Sequence, residues 1–236
     1  INTARQYVIG IGTYNSSLAV AGNNPTPGEL ALTESWNGSS WTEVNDVNTA
    51  RFGASSAGVS NTSGLIFMGQ DTSIGPPTTP NNTGLTESWN GSNWTEVNDM
   101  NSDRQDGGGF GTQTSALTFG GYKYVPSGGR VALTESWNGT NWTEVNDLNT
   151  SRERLAGCGA DNTSVIAFGG GPPDTANTET WDGSSWTEVN NLNTARRELG
   201  GSGIITSALA YGGSTGSITN ATEEWIGDGI ITETVT

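Results

Sequence analysis

One phrase, written five times, limits what this chain can fold into. Trp36-Asn-Gly-Ser-Ser-Trp41-Thr-Glu-Val returns as Trp89-Asn-Gly-Ser-Asn-Trp94-Thr-Glu-Val, as Trp137-Asn-Gly-Thr-Asn-Trp142-Thr-Glu-Val and as Trp181-Asp-Gly-Ser-Ser-Trp186-Thr-Glu-Val. A worn fifth copy starts at Trp225, and the first Trp of each copy recurs at spacings of 53, 48, 44 and 44 residues. Self-similarity at this period marks repeat architectures, in which no unit can bury its apolar side alone. A second anchor runs in step with the first: Arg5, Arg51, Arg104, Arg152 and Arg196 each follow Asn-Thr-Ala or a variant of it. The chain opens on Ile-Asn-Thr-Ala-Arg5, the piece expected after the last Thr-Glu-containing segment. A linear solenoid has no use for matching ends and needs polar caps. A ring does use them, so the two termini are expected to lie side by side.

Each unit reads as four short strands. In the third they are the Gly-rich stretch after Arg104, then Ser115–Phe119 ending in Gly120-Gly121, then Ala132–Trp137, then Trp142–Val145. The second and fourth show the two-residue alternation of a half-buried strand. Asn138-Gly139 joins the third to the fourth, a strong hairpin signal because both residues tolerate positive φ. No segment has a helical period. The expectation is an all-β chain, a five-bladed β-propeller with four antiparallel strands per blade, in which radial repetition leaves only short sheet edges. It forms one domain over 1–236, with blades at approximately 1–48, 49–101, 102–149, 150–193 and 194–236.

Arg, then Gly-Gly after an apolar strand, then an aromatic, then Trp-Thr-Glu is similar to the kelch repeat, and the likeness spans all five units. The aromatic before the hairpin, usually Tyr in kelch repeats, is Trp here. The wording looks more narrowly like kelch-like arrays encoded by marine phages and uncultured marine bacteria. That resemblance implies a virion fibre or cell-surface module, outside the cell.

Composition removes several kinds of chemistry. The 236 residues include no His, which excludes His-based acid–base catalysis, Ser-His-Asp and Cys-His nucleophiles and His-ligated metals. The single Cys, Cys158, can form neither an internal disulfide nor a Cys cluster for metal. No cofactor is expected. A net charge of −15 disfavours nucleic acid and anionic membrane surfaces as partners. No apolar run approaches the ~18 residues of a membrane-spanning helix. Hydrophobic residues are only 32%, but nine Trp, five Tyr and five Phe can still supply a core.

Residues that recur in every blade are first of all structural. The two Trp sets are read as packing between blades, with stacking platforms for sugar rings as the sharper alternative. The five Arg match in number Glu34, Glu87, Glu135, Glu179 and Glu223, which suggests one Arg–Glu pair per blade or per junction. A ring of Arg around the channel mouth, binding an anion, is the alternative. Asp46, Asp99 and Asp147 read as turn formers rather than calcium ligands, the more so because Asn191 replaces them in the fourth blade. The Gly clusters after each Arg are read as relief of crowding at the axis.

Function is expected where the copies diverge. The loop from second to third strand varies most and holds every Pro in the chain. In an up-and-down blade it shares a face with the Asn-Asp turns. The richest candidate is the third-blade loop with Tyr122, Lys123, Tyr124 and Arg130, to which Asp71 and Asp174 are added from blades two and four. These six residues are the expected ligand-binding set. Neither catalytic nor metal-binding residues are expected. The leading function is a non-catalytic binding or adhesion module for a glycan or cell-surface receptor. One alternative is a structural protein that contacts other virion or surface proteins. The other is a glycoside hydrolase, which needs two carboxylates about 5–10 Å apart. For that, only Asp103 and Asp106 lie near an inner strand in an unusual setting.

Overall fold

A computed structural model describes residues 1–25, 28–71, 81–124, 128–227 and 229–231. Every regular element among them is a β-strand. Five four-stranded antiparallel sheets are arranged in a ring, each pairing its strands in chain order, and the molecule is a five-bladed β-propeller. From the axis outward, blade three runs Gly108–Thr112, Ser115–Phe119, Thr134–Trp137 and Trp142–Val145. Its third strand starts two residues later than expected, because the Ala132 carbonyl is taken by the Leu148 amide of the turn that leaves the blade. The innermost strand of each blade packs on that of the next from blade one to blade five.

The repeated phrase makes the outer hairpin. Trp137 and Trp142 face each other across it with ring centroids 5.4 Å apart, and the same pair recurs in blades one, two and four. The turn does not use positive φ at both Asn and Gly. Only Gly139 takes it, at 91°, while the Asn138 side-chain oxygen accepts hydrogen bonds from the amides of Thr140 and Asn141. Asp182 does the same in blade four, which explains why Asp can replace Asn there. The first indole N–H of each pair donates to a carbonyl at the inner hairpin of its own blade, as Trp137 does to Gln113. The second reaches back to the preceding blade: Trp94, Trp142 and Trp186 donate to the hydroxyls of Thr33, Thr86 and Thr134. Edge-on contacts of Phe67 with Trp142 and Phe119 with Trp186 complete these junctions.

The Arg–Glu pairs form, one within each blade: Arg5–Glu34, Arg51–Glu87, Arg104–Glu135, Arg152–Glu179 and Arg196–Glu223. All five guanidinium side chains are 1% exposed or less. The alternative of an Arg ring at the channel mouth is therefore wrong, because these groups hold carboxylates and backbone carbonyls in the interior. The second oxygen of each Glu accepts from the backbone of an Asn that arrives from the preceding turn, such as Asn48 to Glu87 and Asn101 to Glu135. In blade one that Asn is Asn2, from the opening segment; the expected meeting of the two termini involves residues outside those described. The segment 232–236 lies outside the described residues.

Asp46, Asp99 and Asp147 accept the amides of Thr33, Thr86 and Thr134, and Asn191 accepts that of Thr178 in the same way. An acceptor is all the turn requires. The glycine reading is corrected. A Cβ on Gly108 or Gly157 would lie 2.4 Å from the Phe119 ring, and one on Gly109 would lie 2.7 Å from that of Phe67. The inner strands are glycine-rich to seat the aromatic rings of the second strands, not to relieve crowding across the axis.

Candidate functional site

The residue two places after each Arg of the repeat is held in the left-handed region. It is Tyr7 at 54°, Gly53 at 63°, Asp106 at 55°, Arg154 at 55° and Glu198 at 57°. A run of backbone hydrogen bonds links three of these positions to the one before. The amide of Asp106 donates to Gly53, that of Arg154 to Asp106 and that of Glu198 to Arg154, at 2.6–2.8 Å. Strained non-Gly backbone of this kind costs about 1–3 kcal/mol per residue and survives only where the surroundings impose it. The five residues border a cavity of about 280 Å³ at one mouth of the channel. Their identities differ in every copy, directly beside the most constant position of the repeat.

The residue between the Arg and this position bridges to the second-to-third loop of its own blade: Gln6 to Asn23, Phe52 to Gln70, Gln105 to Tyr122, Glu153 to Gly171 and Arg197 to Ser214. The variable loops and the channel mouth thus share one face. The loops carry small ladders of their own, Gln70–Asp71 with Asn81–Asn82 and Tyr122–Lys123 with Gly129–Arg130. Of the prolines expected on these loops, Pro27, Pro76, Pro77, Pro80 and Pro126 lie outside the described residues.

Two groups of side chains emerge. The first lies between blades two and three, around a cavity of about 550 Å³ whose lining includes Asp71, Asn82, Ser102, Asp103 and Lys123. The Lys123 ammonium donates to the Ser102 hydroxyl at 2.7 Å. Asn82 ties this cavity to the tyrosines, since its side-chain oxygen accepts the Tyr124 amide at 2.6 Å. Its nitrogen donates to Gln105 at 3.2 Å. The Tyr122 and Tyr124 rings meet edge-on at 5.0 Å. Asp71 lines it while almost wholly buried.

The second group spans blades three to five and is a chain of ion pairs. Arg154 lies 3.5 Å from Asp106 and 2.9 Å from Glu198. Arg130 lies 3.7 Å from Glu153, and Arg197 lies 2.5 Å from Asp174. Burial pushes the Glu153 carboxyl up from its ordinary value and Asp106 adds to this, against the pull of Arg154 and Arg130. The Tyr124 hydroxyl is raised by burial and by Asp106, Tyr122 and Glu153, with Arg154 opposing, so it lies near the second group.

Of the expected residues, Asp71 and Lys123 come together at the first cavity, while Tyr122 and Tyr124 pair with each other outside its lining. Arg130 and Asp174 fall in the second, each engaged with an ion of the next blade. Asp103 lines the cavity of the first group and Asp106 borders the channel mouth, so the two acids belong to separate cavities. Sequence reasoning missed Asn82, Ser102, Arg154 and Glu198. The signal for Arg154 and Glu198 was available, namely five different residues at one register position. Asn82 and Ser102 carried none, because Asn and Ser abound throughout the chain. No protein-family model matches the chain, and a search of curated proteins finds no match either.

Proposed function

We propose that this chain is a non-catalytic binding module whose looped face recognises carbohydrate on a cell surface, in the setting of a phage fibre or a bacterial surface protein. The observation that carries this reading is the first group. A polar cavity is lined by Asp71, Asn82, Asp103 and Lys123; the same loop pairs the rings of Tyr122 and Tyr124, which strand alternation places on the side opposite Lys123. Sugars present hydroxyls that need donors and acceptors in fixed places and C–H faces that need an aromatic wall, and ligand sites of this size combine the two. A site built to hydrogen-bond hydroxyls discriminates well, because a wrong ligand leaves its buried polar groups unpaired. The absence of His from the sequence and the separation of Asp103 from Asp106 support binding without catalysis.

The test is a glycan array probed with the folded chain. Binding to a defined glycan is expected to weaken at least ~10-fold in Tyr124→Ala and in Lys123→Ala, about 1.4 kcal/mol each. Folded protein that binds no glycan and no host surface would overturn the reading.

A further inference from the structure

The outer hairpins of blades one, two and three each turn on an exposed Asn-Gly pair: Asn37-Gly38, Asn90-Gly91 and Asn138-Gly139. The sequence has no other Asn-Gly pair. In each turn the Asn side-chain oxygen accepts the backbone amides two and three residues on, at 2.9–3.0 Å. Among the described residues, the side-chain nitrogen of none of the three has a hydrogen-bond partner. Other asparagines of the repeat are held the opposite way, by the nitrogen. Asn48, Asn101 and Asn149 donate theirs to the Glu of the buried ion pair, and Asn45 and Asn98 donate theirs to the hairpin of the next blade. The backbone fixes the glycine, since φ is 91–93° at all three and a Cβ would lie 3.3–3.4 Å from the inner hairpin of the same blade. Blade four keeps the turn with Asp182, whose carboxylate accepts the Ser184 and Ser185 amides at 2.8 Å. The Ser185 and Ser184 amides hold that carboxyl below its ordinary value, so the turn favours a charged acceptor.

We propose that these three turns modify themselves: in the folded chain Asn37, Asn90 and Asn138 deamidate to the Asp that blade four already carries. The Gly amide nitrogen attacks the Asn Cγ, and its proton leaves with the side-chain nitrogen as ammonia. A Cγ–N bond forms and the Cγ–Nδ2 bond breaks. Water then opens the cyclic imide at Cγ, which breaks the new bond, returns a proton to the Gly nitrogen and leaves a carboxyl group. Each event consumes one water, releases one ammonia and takes the net charge one unit below −15. Negative charge develops on Oδ1 during the attack, and the two amides already stand where an oxyanion hole places its donors. The turn holds nucleophile and target in one short loop, so their encounter is not left to a flexible chain. The leaving nitrogen is unheld, and glycine has no side chain to obstruct the approach. The same two amides polarise the Cγ carbonyl of the imide, which directs water to that carbon. Opening at the other carbonyl, to isoaspartate, would add a methylene to the backbone between two Trp that face each other across the hairpin.

The experiment incubates the full chain at one mildly alkaline pH, folded and in urea, beside Asp182→Asn. Anion-exchange chromatography counts the charge steps, and peptide mapping that separates aspartate from isoaspartate places them. The folded original chain should take three steps, at Asn37, Asn90 and Asn138, roughly 10-fold faster than in urea and mainly to aspartate. Asp182→Asn restores a turn that three other blades already use, and it should take a fourth step at its own position. Steps that run slower in the folded chain than in urea overturn the proposal, as does isoaspartate as the main product. Modification that falls first on asparagines whose nitrogen is held overturns it too, and so does Asp182→Asn without a fourth step.

Discussion

The junction between blades two and three and the seam between blades five and one start from nearly the same residues and end differently. Both have a Trp pair on one side and an aromatic at the end of a second strand on the other. At the first, Phe67 lies edge-on to Trp142, whose indole donates to Thr86, and all are buried. At the second, Tyr211 and Trp41 border open space. Side chains alone therefore do not make the interface. The packed junctions are the four that the described chain crosses, through an Asn-Asp turn (Asn190-Asn191 in the fourth) that delivers an Asn to the next Glu. Covalent linkage raises the effective concentration of one face for the next and removes most of the entropic cost of bringing them together.

The largest effect that would break this comparison is a parallel truncation. Trp142→Ala should cost about 3–5 kcal/mol, since it opens a buried void and leaves Thr86 without its donor. For a chain of this length that corresponds to a fall of roughly 6–20 °C in the thermal midpoint. Trp41→Ala should cost under about 1 kcal/mol. Equal losses in calorimetry would show that the two interfaces do not differ. Next in size is the buried ion pair. Glu135→Gln leaves Arg104 charged and unpaired at 0% exposure, and should cost on the order of 3–5 kcal/mol. Glu198→Gln at the open rim removes a pair whose two side chains are about 40% exposed, and should cost within about 1 kcal/mol.

Acid sharpens the comparison at the two blades that border the seam. Burial works against the charged form of Glu34, but the Asn2 amide, the Arg5 guanidinium and the Thr3 amide outweigh it and hold the carboxyl below its ordinary 4.5. In Glu223 burial is likewise outweighed, by the Asn193 amide and the Arg196 guanidinium. A carboxyl with a depressed folded pKa binds fewer protons folded than unfolded. Its contribution is thus present above the unfolded value and is lost as pH falls through the folded one. Midpoints measured between pH 5 and 3 should fall less steeply in Glu34→Gln than in the original chain. Glu153, raised by burial, has the opposite sign: its unfavourable contribution sets in as pH rises past its unfolded value.

The sequence made the blades legible but not the seam. Trp-Asn-Gly, Trp-Thr-Glu and the Arg anchor each encode a contact within one blade or between neighbours joined by chain, so spacing alone exposes them. The Arg–Glu pairing could be read from matching counts, because a buried guanidinium requires a carboxylate. The glycines were misread, since a sequence does not say which ring fills the space a missing Cβ leaves. Tyr122, Lys123 and Tyr124 stand out in the sequence as a local concentration of rare residues. Arg154 and Glu198 were passed over because they sit beside the constant Arg and look like part of it. The exposure of Leu209 and Tyr211 could not be read at all, since both match their buried counterparts in residue type and register.

Cys158 offers the smallest effect and a clean reading of how tight a packed junction is. It lies on the inner strand of blade four, fully buried among Ile166, Phe168 and Ala208 where blade five covers it. Burial pushes its thiol up to about 12, so almost no thiolate exists at neutral pH, and only the thiolate reacts. A thiol reagent at pH 8 should label the folded chain at the rate of global opening and not faster. If the junction between blades four and five opens locally as the seam does, labelling will outrun unfolding. That junction would then stand apart from the other three, with which it shares a backbone bond but not every residue: Ile205 stands where blades two to four have Asn61, Gln113 and Asn162, and Ile230 where the second Trp should be.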